Sequence, residues 1–100
     1  MARLGWRRWW SASGMPALRT MAIEHWDPLG VYDDPLNAGI YDPYLDRVGR
    51  MLRRGKGPDE IARYLGDVRM KAFKRESNET MDELFADRVV AWYALESPEA

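Results

Sequence analysis

The sequence predicts a single all-α domain, a small bundle of about four helices with a long packed loop between the first two. Apolar residues recur at helical spacing in four stretches of the chain. Proline, glycine and aspartate fall between those stretches, where they begin or end helices. One hundred residues suit one domain, and without a cysteine neither a disulfide nor a thiolate metal site can hold the fold.

Residues 1–14 combine three arginines and three tryptophans with no acidic residue. They lack the apolar centre of a secretory signal, and no helical stripe or cap precedes Pro16. Arginine with tryptophan suits a lipid headgroup layer or a nucleic acid. We nevertheless interpret residues 1–14 as a disordered extension, or as sequence upstream of a true start at Met15 or Met21. The helical domain then covers residues 15–96, and a chain that begins at Met15 should fold as well as the full chain.

The first predicted helix runs from about Pro16 to Trp26. Proline fits the first helical position, where its missing N–H costs nothing. Asp27-Pro28 ends the helix, because a residue before proline is disfavoured in the α region. The loop that follows, residues 27–41, is long for a compact domain, and its apolar residues predict packing against the helices. These residues are Leu29, Val31, Tyr32, Leu36 and Ile40.

Trp26 lies where the first helix meets this loop. We expect a structural anchor whose indole covers Leu29 and Val31 between the ends of two helices. Asp27 should then accept hydrogen bonds from nearby backbone N–H groups. The alternative interpretation makes Trp26 an exposed residue that binds a partner.

The second predicted helix begins with Asp42 as N-cap and Pro43 at the first position, and it ends at Gly55. Gly49 in its middle costs roughly 1 kcal/mol relative to alanine, which suggests the close approach of another backbone. The apolar stripe of this helix consists of Tyr44, Leu45, Val48, Met51 and Leu52.

The third predicted helix opens at Gly57-Pro58, with acids in its first turn where the helix dipole favours them. Residues 77–80 interrupt the helical pattern. Thr80 and Glu83 then form a capping-box pattern that predicts the start of a fourth helix, which ends near Leu95. Residues 97–100 are predicted to be a frayed tail. The expected apolar face of the fourth helix consists of Met81, Leu84, Phe85, Val89 and Trp92.

Charge is distributed unevenly along the chain. Residues 20–46 contain six acids and neither lysine nor arginine, whereas residues 47–75 contain ten bases and three acids. Acidic flanks that fold against a basic middle would explain this pattern, because opposite charges close together lower the electrostatic energy. The alternative is a basic face for an anionic partner.

The residues that could carry chemistry lie in unsuitable patterns. His25 is the only histidine, and its spacing to the acids around it matches neither a helical His-x3-His pair nor an EF-hand loop. Ser11 and Ser13 lie in the N-terminal extension, and Ser77, Thr80 and Ser97 are predicted cap or turn residues. The chain has no glycine-rich phosphate loop. We therefore expect no enzymatic activity, no metal and no cofactor.

Residues 59–66 resemble the first helix of a helix-turn-helix, in which E-I-A-x-x-L-G precedes the turn. Residues 69–75 would then be the recognition helix. The alternative is one continuous amphipathic helix with a solvated basic face. If nucleic acid is bound, the contacting residues are expected to be Arg63, Arg69, Lys71, Lys74 and Arg75.

The run Glu24 to Val31 resembles the E-x-W-D-P-[IL]-G-V signature of a family of small uncharacterised bacterial proteins. Tyr41-Asp42-Pro43-Tyr44 is similar to the Y-D-x-Y element of that family, whereas Gly39-Ile40 departs from its acidic pair. Residues 59–65 are similar to its E-I-x-x-Y-L element. The resemblance covers about residues 23–65, and it implies an all-helical fold of unknown function, not an activity.

Together these patterns predict a small cytoplasmic, non-enzymatic binding or regulatory protein whose partner is another protein. One alternative is a helix-turn-helix-like DNA-binding protein, and another is an immunity-type protein whose acidic loop binds a basic toxin. No apolar run reaches the roughly 20 residues that a membrane-spanning helix needs. The candidate binding residues are Trp26, Asp27, Tyr32, Asp33, Asp34, Tyr41, Asp42 and Tyr44.

Overall fold

The computed structural model describes residues 5–98, and within this range the chain is helical without strands. Its α-helices are α1 (Trp6–Trp9), α2 (Met15–His25), α3 (Asp42–Arg53), α4 (Pro58–Asp67) and α5 (Glu79–Glu96). A π-helical turn, Trp10–Gly14, joins α1 to α2, a second, Val68–Ala72, extends α4, and the loop contains a 3-10 turn, Pro35–Asn37. Backbone angles stay helical across both π turns, so the described residues form four helical rods, which confirms the predicted small all-α bundle.

The N-terminal rod, which consists of α1, the first π turn and α2, corrects the interpretation of residues 1–14 as a disordered extension. Trp6, Trp9 and Trp10 are 8%, 8% and 6% exposed, and they belong to the hydrophobic core. Trp9 packs against Trp92 of α5 with ring centroids 5.8 Å apart. The Trp6 indole N–H donates to the Tyr93 hydroxyl at 2.8 Å. Trp6 and Trp9 are therefore held by helix α5, at the far end of the sequence. Residues 1–4 lie outside the described range.

Two glycines make room for the ring of Trp10. A Cβ atom on Gly14 would lie 2.7 Å from Cε3 of Trp10, and one on Gly49 would lie 2.5 Å from its Cη2. Both distances are shorter than a carbon–carbon contact allows. The close approach predicted at Gly49 therefore exists, but an indole ring approaches α3 there and not another backbone.

Two predicted helix caps are wrong. Asp42 is the first residue of α3, after the N-cap Tyr41, and its carboxylate oxygens accept hydrogen bonds from Arg19 Nε and Nη2 at 2.9 and 2.7 Å. Helix α5 begins at Glu79, and Asn78 caps it by accepting a hydrogen bond from the Met81 N–H at 3.1 Å. The pattern of Thr80 and Glu83 therefore lies within the first turns of α5 and does not start the helix.

The buried face of α5 is rotated relative to the prediction. Phe85, Ala86 and Val89 are buried, but Met81 and Leu84 are exposed. The residue that completes the inward face is Asp82, three positions before Phe85. A carboxylate takes this place because an arginine meets it in the core, as described below. At the end of α5 the predicted tail begins with buried Ser97, while residues 99 and 100 lie outside the described range.

Candidate functional site

Trp26 is buried, as its predicted role of structural anchor requires, while the predicted cover of Leu29 and Val31 by its indole stays a prediction. It is 2% exposed, and its ring stacks on Phe85 at a centroid distance of 5.7 Å and an interplanar angle of 7°. The rings of Tyr41 and Phe73 lie 5.4 and 6.4 Å away. The predicted binding residue Tyr44 also packs into this cluster, with its ring 5.0 Å from that of Phe73. Trp26 therefore offers no surface to a partner, so the alternative of an exposed binding residue is wrong.

A buried ion pair holds the Trp26 indole in place. Asp82 Oδ1 accepts hydrogen bonds from Trp26 Nε1 at 2.8 Å and from Arg69 Nε and Nη2 at 3.1 and 3.0 Å. The side chains of Arg69 and Asp82 are only 7% and 4% exposed. Val68 and Arg69 are adjacent yet both buried, since the π turn shifts the helical register by one residue. Removing either charge would leave the other buried without a counterion.

This arrangement corrects the predicted helix-turn-helix. The chain stays helical from Pro58 to Ala72, so no turn follows Gly66. Arg69 is a core residue and cannot reach a nucleic acid. Lys71 is exposed and lies 3.7 Å from Asp67. Nucleic-acid binding by the exposed residues Arg63, Lys71, Lys74 and Arg75 stays a prediction.

The Asp-Pro loop is fixed from within by Asp27. Its carboxylate accepts hydrogen bonds from the N–H groups of Val31 and Tyr32 at 2.8 and 3.0 Å, as predicted. The Tyr41 hydroxyl donates to the same carboxylate at 2.7 Å and accepts from the Leu29 N–H at 2.9 Å. Burial, together with the hydrogen bond to Asp27, raises the pKa of Tyr41 well above its ordinary value. Tyr41 thus stays a neutral donor, and the loop is held at both ends by one carboxylate–phenol pair.

The outer side of the loop is apolar. The loop packs on the helices through Val31 and Leu29, as predicted. The packing predicted for Tyr32, Leu36 and Ile40 is wrong, because they are 68%, 96% and 40% exposed. Two of the loop's acids lie between Tyr32 and Leu36 in sequence. We name these five residues the loop surface: Tyr32, Asp33, Asp34, Leu36 and Ile40.

The other acids of residues 20–46 have partners inside the molecule. Asp42 binds Arg19, and Asp46 accepts a hydrogen bond from Trp10 Nε1 at 3.0 Å with Arg50 at 3.8 Å. Glu24 lies 3.7 Å from His25. Asp34 of the loop surface also has an internal partner, since its carboxylate accepts a hydrogen bond from Asn37 Nδ2 at 2.5 Å. Asp33 is exposed, and it is the acid of this stretch that a partner reaches most directly.

Comparison with known protein families, curated proteins and solved structures finds no match to this chain. The resemblance of residues 23–65 to the small uncharacterised bacterial family stays a prediction. Within residues 5–98, no helix is long and apolar enough to cross a membrane. In the same range no three acidic or histidine side chains come together as metal ligands would.

Proposed function

We propose that this chain is a small cytoplasmic, non-enzymatic binding protein that presents the loop surface to a protein partner. The observation that carries the proposal is the outward orientation of Tyr32, Leu36 and Ile40 on a loop fixed by Asp27 and Tyr41. Exposed apolar side chains gathered on one segment are typical of interaction sites. The cysteine-free composition suits a reducing compartment, which supports the cytoplasmic location.

The internal hydrogen bonds of the loop favour binding. A loop that is already ordered loses little conformational entropy when a partner covers it, so more of the contact energy appears as affinity. Tyr32 suits the centre of such a contact, because tyrosine buries a large ring while its hydroxyl stays hydrogen-bonded. The helical bundle below serves as the rigid support.

The charge of the loop surface favours a particular partner. Asp33 and Asp34 lie beside the apolar residues, and residues 27–41 contain neither lysine nor arginine. A complementary surface has an apolar pocket with a basic rim. An immunity-type protein that binds a basic toxin is one form of this proposal.

Site-specific photo-crosslinking in the host cell tests the proposal. A photoreactive phenylalanine analogue replaces Leu36 in one variant and Leu95, an 83% exposed leucine at the end of α5, in the control. We expect the Leu36 variant to give a discrete protein adduct that the Leu95 variant does not give. Identical adducts from both positions, or none from Leu36, would contradict a binding role for the loop.

Affinity measurements with the purified crosslinked protein complete the test. The double variant Tyr32→Ser, Leu36→Ser should weaken binding at least about tenfold, since the two apolar anchors are lost. Its melting temperature should stay that of the wild type, because both side chains project into solvent. Leu95→Ser should leave affinity unchanged. Equal affinities of the wild type, the double variant and Leu95→Ser would contradict the proposal.

A further inference from the structure

A cavity lies between the N-terminal rod and helix α3, away from the loop surface. Its volume is ≈ 480 Å³, within the range of about 300–1,000 Å³ found for small-molecule sites. The rings of Trp6 and Trp10 form part of its wall. Four arginines also line it, namely Arg7 from the N-terminal rod and Arg50, Arg53 and Arg54 from α3.

The cavity carries a net positive charge. Asp46 is the only acid among the described residues of its lining, and its carboxylate already accepts a hydrogen bond from Trp10 and lies 3.8 Å from Arg50. Among the described residues, no side-chain hydrogen bond or ion pair engages Arg7 or Arg54. Arg53 lies over the Trp6 ring, with its guanidinium carbon 4.9 Å from the ring centroid. The guanidinium groups of Arg7 and Arg54 are thus available to a ligand.

Helix capping accounts for only part of this cluster. Bases in the last turn of a helix favour the carbonyl end of the helix dipole, which explains arginines at the end of α3. Arg7 belongs to α1, so the helix dipole of α3 does not explain its position beside the cavity. Arg53 stacks on the Trp6 ring, so a further guanidinium lies in the wall of the cavity.

We infer that this cavity binds a phosphate-bearing small molecule. Guanidinium groups bind phosphate oxygens in a bidentate geometry, and those of Arg7 and Arg54 together match the charge of a phosphate monoester better than that of a single carboxylate. The indole wall receives the apolar or aromatic part of the ligand. The exposed Ser11 hydroxyl, also in the lining, supplies a further hydrogen bond. This inference is independent of the loop surface and of its protein partner.

Nuclear magnetic resonance of the indole N–H groups tests the site on the full chain, with pyrophosphate and adenosine diphosphate as probes. The chain contains five tryptophans, whose indole signals can be followed separately. Both probes should shift the signals of Trp6 and Trp10 and leave that of Trp26, with a dissociation constant of about 1 mM or tighter. No shift at either cavity indole would overturn the inference.

Charge-removing variants test which residues act. Arg7→Gln and Arg54→Gln should each weaken pyrophosphate binding by about tenfold, because each removes one guanidinium–phosphate contact. Arg88→Gln, an exposed arginine of α5, is the matched control and should bind as the wild type does. Both cavity residues are exposed, so unchanged melting temperatures should accompany the loss. Equal weakening by all three variants would show general charge attraction and no site.

A short DNA duplex provides the competing outcome. If the cavity takes a small phosphate ligand, the duplex should bind more weakly than adenosine diphosphate at about 150 mM salt. Tighter binding of the duplex, with a steep fall as salt rises, would assign the arginines to a nucleic-acid backbone and overturn the inference.

Discussion

Two hydrogen bonds from a tryptophan indole to an aspartate carboxylate differ in how deeply they are buried, and this difference changes what each one does in the molecule. Trp26 donates to Asp82 at 2.8 Å, and Trp10 donates to Asp46 at 3.0 Å. Asp82 is 4% exposed at its side chain, and a guanidinium touches it at 3.0 Å. Asp46 is 48% exposed, and its guanidinium partner lies 3.8 Å away. The first pair is sealed in the core, whereas the second borders an open cavity.

This difference in burial indicates where the molecule can accept an anionic ligand. A carboxylate in the core must be matched by a fixed counterion, because its desolvation is otherwise too costly. A carboxylate at the edge of the bundle is also stabilised by water, so its neighbours are free to exchange partners. The arginines near Asp46 therefore lie where an anion can enter, and the arginine at Asp82 does not.

Removal of residues 1–14 is the largest expected perturbation. Loss of one buried tryptophan costs about 3–5 kcal/mol, and three are lost together here, whereas a small domain has only about 5–15 kcal/mol of stability. A chain that begins at Met15 should therefore lose its cooperative thermal transition and its near-ultraviolet circular dichroism. Arg8→Ala, an exposed change in the same segment, is the control and should melt as the wild type does. A truncated chain with the full-length melting temperature would restore the interpretation of a dispensable extension.

Trp26→Ala should lower the free energy of unfolding by about 3–5 kcal/mol, since it removes a buried ring from the stack on Phe85. Trp26→Phe keeps an aromatic ring but loses the hydrogen bond to Asp82, so it should cost less. Chemical denaturation of both variants separates the packing contribution from the polar one. An unshifted denaturation midpoint for Trp26→Ala would be incompatible with the anchor role.

Matched removal of the two carboxylates tests the comparison directly. Asp82→Ala should cost about 3–5 kcal/mol, because it leaves Arg69 charged and buried without a partner. Asp46→Ala should cost less than about 1 kcal/mol, because solvent reaches the groups it contacts. Urea denaturation of both variants measures the difference. Equal losses would mean that burial does not distinguish the two pairs.

Gly49→Ala should destabilise the protein even though alanine favours a helix. The new methyl group would collide with Trp10, and overpacking of this kind costs about 1–3 kcal/mol. The gain in helix propensity offsets at most about 1 kcal/mol. The combination with Trp10→Leu should relieve the collision, so the double variant should be more stable than the two separate losses predict. A strictly additive result would show that the ring does not restrict position 49.

The smallest effect is expected from pH and appears only in alkaline solution. Burial raises the pKa of Tyr41 in the folded state, so the neutral phenol stabilises the fold fully below pH about 10 and loses that contribution above it. Stability should fall by up to about 1.4 kcal/mol per pH unit above that point for each such group. Tyr41→Phe should flatten this fall in pH-dependent denaturation. Tyr64→Phe separates the contribution of Tyr64, whose pKa burial also raises.

The local signals in the sequence predicted much of the fold but little of its long-range pairing. Asp27-Pro28 and Pro58 gave helix boundaries within a residue or two, because their backbone restrictions are intrinsic to the residue types. The tryptophans of the N-terminal rod were missed because their partners lie in α3 and α5, far along the chain. Asp82 was missed because a charged residue is not expected at a core position, although its spacing to Phe85, Ala86 and Val89 was visible.

In the candidate sites, too, local features were predicted from the sequence and features that depend on long-range packing were not. The sequence marked the loop and predicted the hydrogen bonds of Asp27, since aspartate before proline and glycine has that local role. It did not predict that Leu36 would face solvent, which depends on the direction in which the rigid loop leaves the bundle. The arginine cavity was not predicted at all, because Arg7 was assigned to the extension.

The hydrogen bond between Trp6 and Tyr93 spans 87 positions, and this span predicts an order of assembly. Helices α4 and α5 are neighbours in sequence and can pair early, whereas a contact across nearly the whole chain must first overcome the entropy of closing a long loop. Docking of the N-terminal rod is therefore expected to complete folding. The arginine cavity would form only at that step. An anion bound there should therefore stabilise the docked state and make local opening of the N-terminal rod rarer.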